Sequence, residues 1–134
     1  MKRSIACAIA IALFFSIYGC KKDKPENTNA GIRVLNATPW VMYDCTVDPI
    51  GTLSNTPSTK AHNYGQVDIN SASNYHVFDA AYRYAWINLT MNNKTYGIRP
   101  YDYTGETRLT EGNYSYRITY DPILNRISLE LIKD

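Results

Sequence analysis

The sequence predicts an all-β fold, a single antiparallel two-sheet β-sandwich of roughly 7–8 strands, and three observations carry that prediction. From Gly31 onward apolar residues recur with a period of two rather than 3.6. Turn-forming residues interrupt these runs at intervals of about ten residues, the spacing of short antiparallel strands. The 104 residues from Gly31 to Asp134 are enough for one hydrophobic core and too few for two.

The chain opens with residues 1–19, which read as a helical export signal. Lys2 and Arg3 form a basic start, and Ile5 to Tyr18 is an apolar run of 14 residues, short of the roughly 18–20 needed to span a bilayer. Ile17-Tyr18-Gly19-Cys20 resembles a bacterial lipobox, with a small Gly just before the cysteine. That resemblance implies cleavage after Gly19 and acylation of Cys20 with diacylglycerol and an amide-linked chain such as palmitate. Two or three chains at about 0.8 kcal/mol per buried methylene make the attachment effectively permanent. Residues 20–30 follow as the lipidated cysteine and a tether. Lys21 to Ala30 is dense in charge, Asn and Pro, has no apolar periodicity, and is expected to be disordered.

Removing the signal takes Lys2 and Arg3 from the 14 basic residues and leaves 12 against 12 acidic ones. A neutral body gives no footing for nucleic acid or for a polybasic lipid-binding face. Of three cysteines, Cys7 leaves with the signal and Cys20 takes the lipid, so Cys45 stands alone and no intramolecular disulfide can form.

Within the domain, residues 31–134, a short strand is expected at Ile32 to Asn36. Val41, Tyr43, Cys45 and Val47 then alternate with Met42, Asp44, Thr46 and Asp48, as in a strand with one face buried. Short strands are expected around Asn63 to Val67 and at Tyr75 to Phe78, and Ala80-Ala81-Tyr82 is the one candidate for a helical turn. Ala85, Ile87, Leu89 and Met91 share a face and Tyr84, Trp86, Asn88 and Thr90 the other, which suits a central strand. Asn92-Asn93 tolerates positive φ and turns that strand into Thr95 to Arg99. A last hairpin pairs Tyr114 to Tyr120 with Arg126 to Ile132 across Asp121 to Asn125.

Leu109-Thr110-Glu111-Gly112-Asn113-Tyr114 matches the Leu-x-x-Gly-x-Tyr lead-in to a late strand of many Ig-like and transthyretin-like domains, which implies that the Tyr hydroxyl caps nearby backbone. The body also resembles small lipoproteins of Bacteroidota. The residues are Tyr64-Gly65, Val67, Ser71, Tyr75 to Phe78, Ala81 to Ala85, and Arg99-Pro100-Tyr101-Asp102-Tyr103-Thr104-Gly105-Glu106. The resemblance implies a β-fold and attachment to the bacterial outer membrane, on its periplasmic or cell-surface side, and no activity. Ile32 to Pro39 is similar to the first strand of other extracytoplasmic sandwich modules, which ends in Asn-Ala-Ser-Pro.

No catalytic constellation emerges. His62 and His76 lack a metal-ligand spacing, so neither a metal nor another cofactor is expected. Cys45 falls on an inward face, where a thiol is inert. Asp102, Glu106 and Glu111 would serve a glycosidase only as a pair spanning roughly 5–9 Å. The one excess is aromatic, with 11 of 12 tyrosines in the body beside Trp40 and Trp86. Most are expected to fill the core or cover a sheet. Tyr84 and Trp86 on the outer face, with Tyr101, Asp102 and Tyr103 in a loop, are the candidates for contact with a glycan or a protein partner. The expected function is a non-catalytic binding or accessory module, anchored to the membrane through Cys20. The alternative is a structural subunit that pairs through its apolar last strand, Ile127 to Ile132.

Overall fold

The computed structural model describes residues 29–134. The expected signal peptide, Cys20 and all but the end of the expected tether lie outside the described residues. Eight strands form, β1 (Ala30–Ala37), β2 (Tyr43–Asp48), β3 (His62–Asn63), β4 (His76–Phe78), β5 (Trp86–Met91), β6 (Lys94–Ile98), β7 (Gly112–Asp121) and β8 (Arg126–Lys133). Among the described residues there is no helix, and residues 80–82 form no helical turn.

The strands make two four-stranded sheets, ordered β4-β1-β7-β8 and β3-β2-β5-β6. Ile32 and Val34 of β1 and Tyr114, Tyr116 and Ile118 of β7 line the inner face of the first. Cys45, Val47, Ile87, Leu89, Met91 and Tyr96 line that of the second, and together they form one core. Pairing is antiparallel with one exception. β1 and β7 run parallel over their whole registered length, from Ala30↔Gly112 to Ala37↔Thr119, because both enter the sheet from the same end of the molecule.

The alternation of β5 is as the sequence indicates, with Ala85, Ile87, Leu89 and Met91 buried and the strand lying inside its sheet. Asn92 and Asn93, with φ of 48° and 57°, close the β5–β6 hairpin. The lead-in to β7 also forms as expected, with the Tyr114 hydroxyl donating to the Thr110 carbonyl at 3.0 Å. Gly112 holds a φ of 146°, which only glycine adopts freely.

β2 departs from its expected pattern. Asp44 takes a φ of 50°, and the pairing with β5 shifts register between Tyr43 and Thr46. This bulge carries one extra residue, so Met42 and Cys45, three apart, both face the core while Tyr43 is exposed. The expected strand at residues 63–67 shrinks to the pair His62–Asn63 plus a lone bridge from Val67 to Met42.

Candidate functional site

The strand registers bring three connections to one end of the sandwich. Ala30 opposes Phe78 and Gly112, and Asp48 opposes Trp86. Residues 49–61, 79–85 and 99–111 therefore emerge together, at the end where the chain enters β1.

These loops are tied into one unit. The buried Asp48 carboxylate accepts from the Ile50 amide at 3.2 Å and the Ser58 amide at 2.9 Å, which fixes the first loop at both ends. Tyr103 donates from its hydroxyl to the Gly51 carbonyl at 2.7 Å and stacks on Tyr82 at 4.4 Å. Burial pushes the Tyr103 hydroxyl well above the ordinary phenol range. The Leu109 amide donates to the Ala81 carbonyl at 2.8 Å, and Arg83 pairs with Glu106 at 3.4 Å. The core Tyr116 hydroxyl reaches the Tyr82 carbonyl from below.

The five residues singled out in the sequence divide accordingly. Tyr101 is 78% exposed, Tyr84 is 39% exposed, and Asp102 is exposed with its carboxylate accepting from the Thr104 amide at 3.0 Å. Trp86 requires a correction. It stands on the outer face as its parity indicates, but it is only 3% exposed. Its indole N–H donates to the Ser54 carbonyl at 2.8 Å, and the Arg99 guanidinium lies over its ring at 4.2 Å. The loop from Gly51 to Ser54 and the Arg99 side chain cover the ring, so it is a floor for the loop and offers no free face for stacking. Tyr103 is half-buried in the same packing and also positions the loops. Asp48 went unnoticed in the sequence because its place in an alternating strand reads as outward.

A second arrangement was not legible from spacing. His62 of β3 and His76 of β4 stack face to face at 3.8 Å across the open edge of the sandwich. Tyr64 meets His62 edge-on at 4.7 Å, and Phe78 meets His76 at 4.7 Å. His76 and Phe78 share one side of β4, the strand expected at Tyr75 to Phe78, but no local signal joins them to residues 62 and 64. A cleft of about 370 Å³ opens beside the pair, lined by Ile50, Lys60 and Phe78 among others. A polar hollow of about 350 Å³ lies on its other side, with Asn63, Gln66 and Tyr75 in its wall. Parallel rings present faces and not lone pairs to each other, and no cluster of three metal-ligating side chains forms among the described residues.

Cys45 is fully buried, and burial pushes its thiol up to about 12. Such a group stays protonated and unreactive at neutral pH. Asp102 is engaged in its own turn and Glu106 with Arg83. Asp102, Glu106 and Glu111 line neither of the hollows beside the histidines nor one formed by Arg83, Tyr84, Leu129 and Leu131.

The fold is similar to an NMR structure of a protein from Eubacterium rectale, with a TM-score of 0.53 and 10% identity over 83% of this chain and 95% of that one. That likeness concerns the fold alone. No family model and no curated protein matches the sequence.

Proposed function

We propose that this chain is a lipid-anchored protein of the bacterial outer membrane, similar to the small lipoproteins of Bacteroidota, which acts as a non-catalytic binding or accessory module for a glycan or protein. The observation that carries the reading is the set of exposed side chains on the braced loop end. Tyr101 presents an open ring there, Tyr84 a ring with the Arg83 guanidinium over one face at 4.6 Å, and Asp102 a carboxylate. Loops cross-linked by Tyr103, Trp86 and Asp48 lose little further entropy on binding, which favours recognition over mere exposure. Sugar rings stack on aromatic faces while their hydroxyls take hydrogen bonds. Protein partners use the same residue types. The lipobox at Ile17 to Cys20 supports the anchor.

Glycan arrays and pull-downs with the purified protein test this reading. The expected result is a ligand whose binding falls about tenfold or more in Tyr101→Ala, a loss of about 1.4 kcal/mol or greater. A ligand retained in full by Tyr101→Ala and Tyr84→Ala removes the loop end from consideration.

A second reading rests on β8. This strand is an edge of its sheet, and its half-buried Leu129 and Leu131 border a hollow with Arg83 and Tyr84. A neighbouring strand added there would make the protein a structural subunit. Arg126, Glu130 and Lys133 along the same strand oppose edge pairing. Sedimentation that shows only monomer at high concentration excludes it.

A further inference from the structure

We infer that the three-loop end of the sandwich rests on the membrane, with Tyr101 and Leu53 seated in the phospholipid headgroup layer. This rests on the lipid anchor of the reading above and adds to it an orientation and a partner, a zwitterionic lipid surface.

The molecule has an exposed apolar residue set at each end. At the loop end Tyr101 is 78% and Leu53 52% exposed, with Ile50 and Tyr84 less so. At the other end the β7–β8 turn presents Ile123 at 91% and Leu124 at 55%. Covalent length favours the loop end. The chain enters β1 at Ala30, whose partners Phe78 and Gly112 mark the loop end. From Cys20 to Ala30 there are ten residue steps, which at about 3.3–3.6 Å each reach no more than roughly 36 Å. β7 spans nine residue steps from Gly112 to Asp121, about 30 Å. Only a tether drawn out to nearly its full reach and laid flat along the body would bring Ile123, beyond the last residue of β7, to the membrane. The loop end lies at the tether's own origin.

The chemistry suits that contact. Tyrosine rings favour the headgroup level, where the ring is shielded and the hydroxyl stays wet. The loops carry four basic residues, Lys60, Arg83, Arg99 and Arg108, against four acidic ones, Asp79, Asp102, Glu106 and Glu111, and Arg83 pairs with Glu106 and Lys60 with Asp79. After cleavage 12 basic residues balance 12 acidic ones, so attraction to anionic lipid contributes little and the contact should withstand salt. A ligand that uses Tyr101 must then be borne on the membrane or displace the ring from it.

The test uses the full-length lipidated protein, reconstituted into phosphatidylcholine vesicles that carry a headgroup nitroxide, and compares Tyr101→Trp with Ile123→Trp. The emission gained in Tyr101→Trp should be blue-shifted and quenched severalfold more than that gained in Ile123→Trp, at low and at high salt. Equal quenching of the two, or none in Tyr101→Trp, in protein that floats with the vesicles overturns the docking and leaves the anchor standing. Failure of the unmutated protein to float, as expected only for Cys20→Ser, overturns both.

Discussion

Asn36 uses every hydrogen-bonding position of its buried side chain. Its amide nitrogen donates to the Trp40 carbonyl at 2.8 Å and the Val67 carbonyl at 2.9 Å, and its oxygen accepts from the Thr38 amide at 2.9 Å and hydroxyl at 2.8 Å. It therefore shapes the crossover from β1 to β2 and holds the 67–71 segment against both. Asn36→Ala should lower unfolding stability by about 3 kcal/mol, because buried carbonyls and an amide lose their partner. Urea unfolding measures this, and a loss under about 0.5 kcal/mol would show that water replaces the side chain. The Asn-Ala-Thr-Pro segment was visible in the sequence as a strand ending, but four bonds from one side chain were not. Trp86 shows the same limit from the other side. Its parity was read correctly, and its burial depends on a loop more than thirty residues away, through Ser54. Period-two patterns report which way a residue points. They do not report what crosses over it.

At the scale of elements, the legible features were those enforced by neighbours in sequence. The Asn92-Asn93 turn, the Gly112 lead-in and the parity of β5 need only local backbone preferences. β2 keeps Cys45 and Val47 inward as expected but was misjudged from Val41 to Tyr43, because one left-handed residue, Asp44, changes the phase of the chain before it, and an Asp in an alternating run reads equally as an outward residue. The loops were the least legible elements, since they are held by contacts such as Tyr103 to Gly51 that join residues 52 apart. That bond yields a prediction at its own scale. Tyr103→Phe keeps the stack on Tyr82 and removes only the hydroxyl, so global stability should fall by about 1 kcal/mol. Amide exchange in residues 50–56 should rise well above any change in β7. Uniform acceleration across the molecule would mean that the hydroxyl supports the core and not the loop.

For the molecule as a whole, the two sheets meet differently along their two sides and ends. Trp40, Tyr96 and Tyr120 close the end opposite the start of β1, where Asn125 accepts from Tyr96 at 3.1 Å and Tyr120 at 2.9 Å. The β3–β4 side is closed by the stacked histidines, and that closure depends on charge. Burial, and secondarily the charge of His76, lower the His62 pKa below its ordinary 6.5. The unfolded chain thus binds more protons than the folded one between that lowered value and 6.5. Stability contributed here is fully present above 6.5, declines as pH falls through the window, and levels off below the folded pKa. Asp134 acts in a lower window. Its burial raises the pKa, but hydrogen bonds from Tyr75 and Ser115 and the charge of Arg33 outweigh this and hold the carboxyl below 3.8. Its share of stability is intact above 3.8 and is lost as pH falls through the folded value. The Lys60–Asp79 pair at the rim of the same cleft is exposed and screened, which leaves the histidines as the charge-sensitive contact between the sheets. Urea midpoints followed from about pH 7.5 to about pH 4.5 should therefore fall. His76→Phe, which keeps a ring beside His62 and removes its charge, should reduce that fall. An unchanged fall in His76→Phe would place the acid sensitivity elsewhere and deny the histidine stack its part in holding the sheets together.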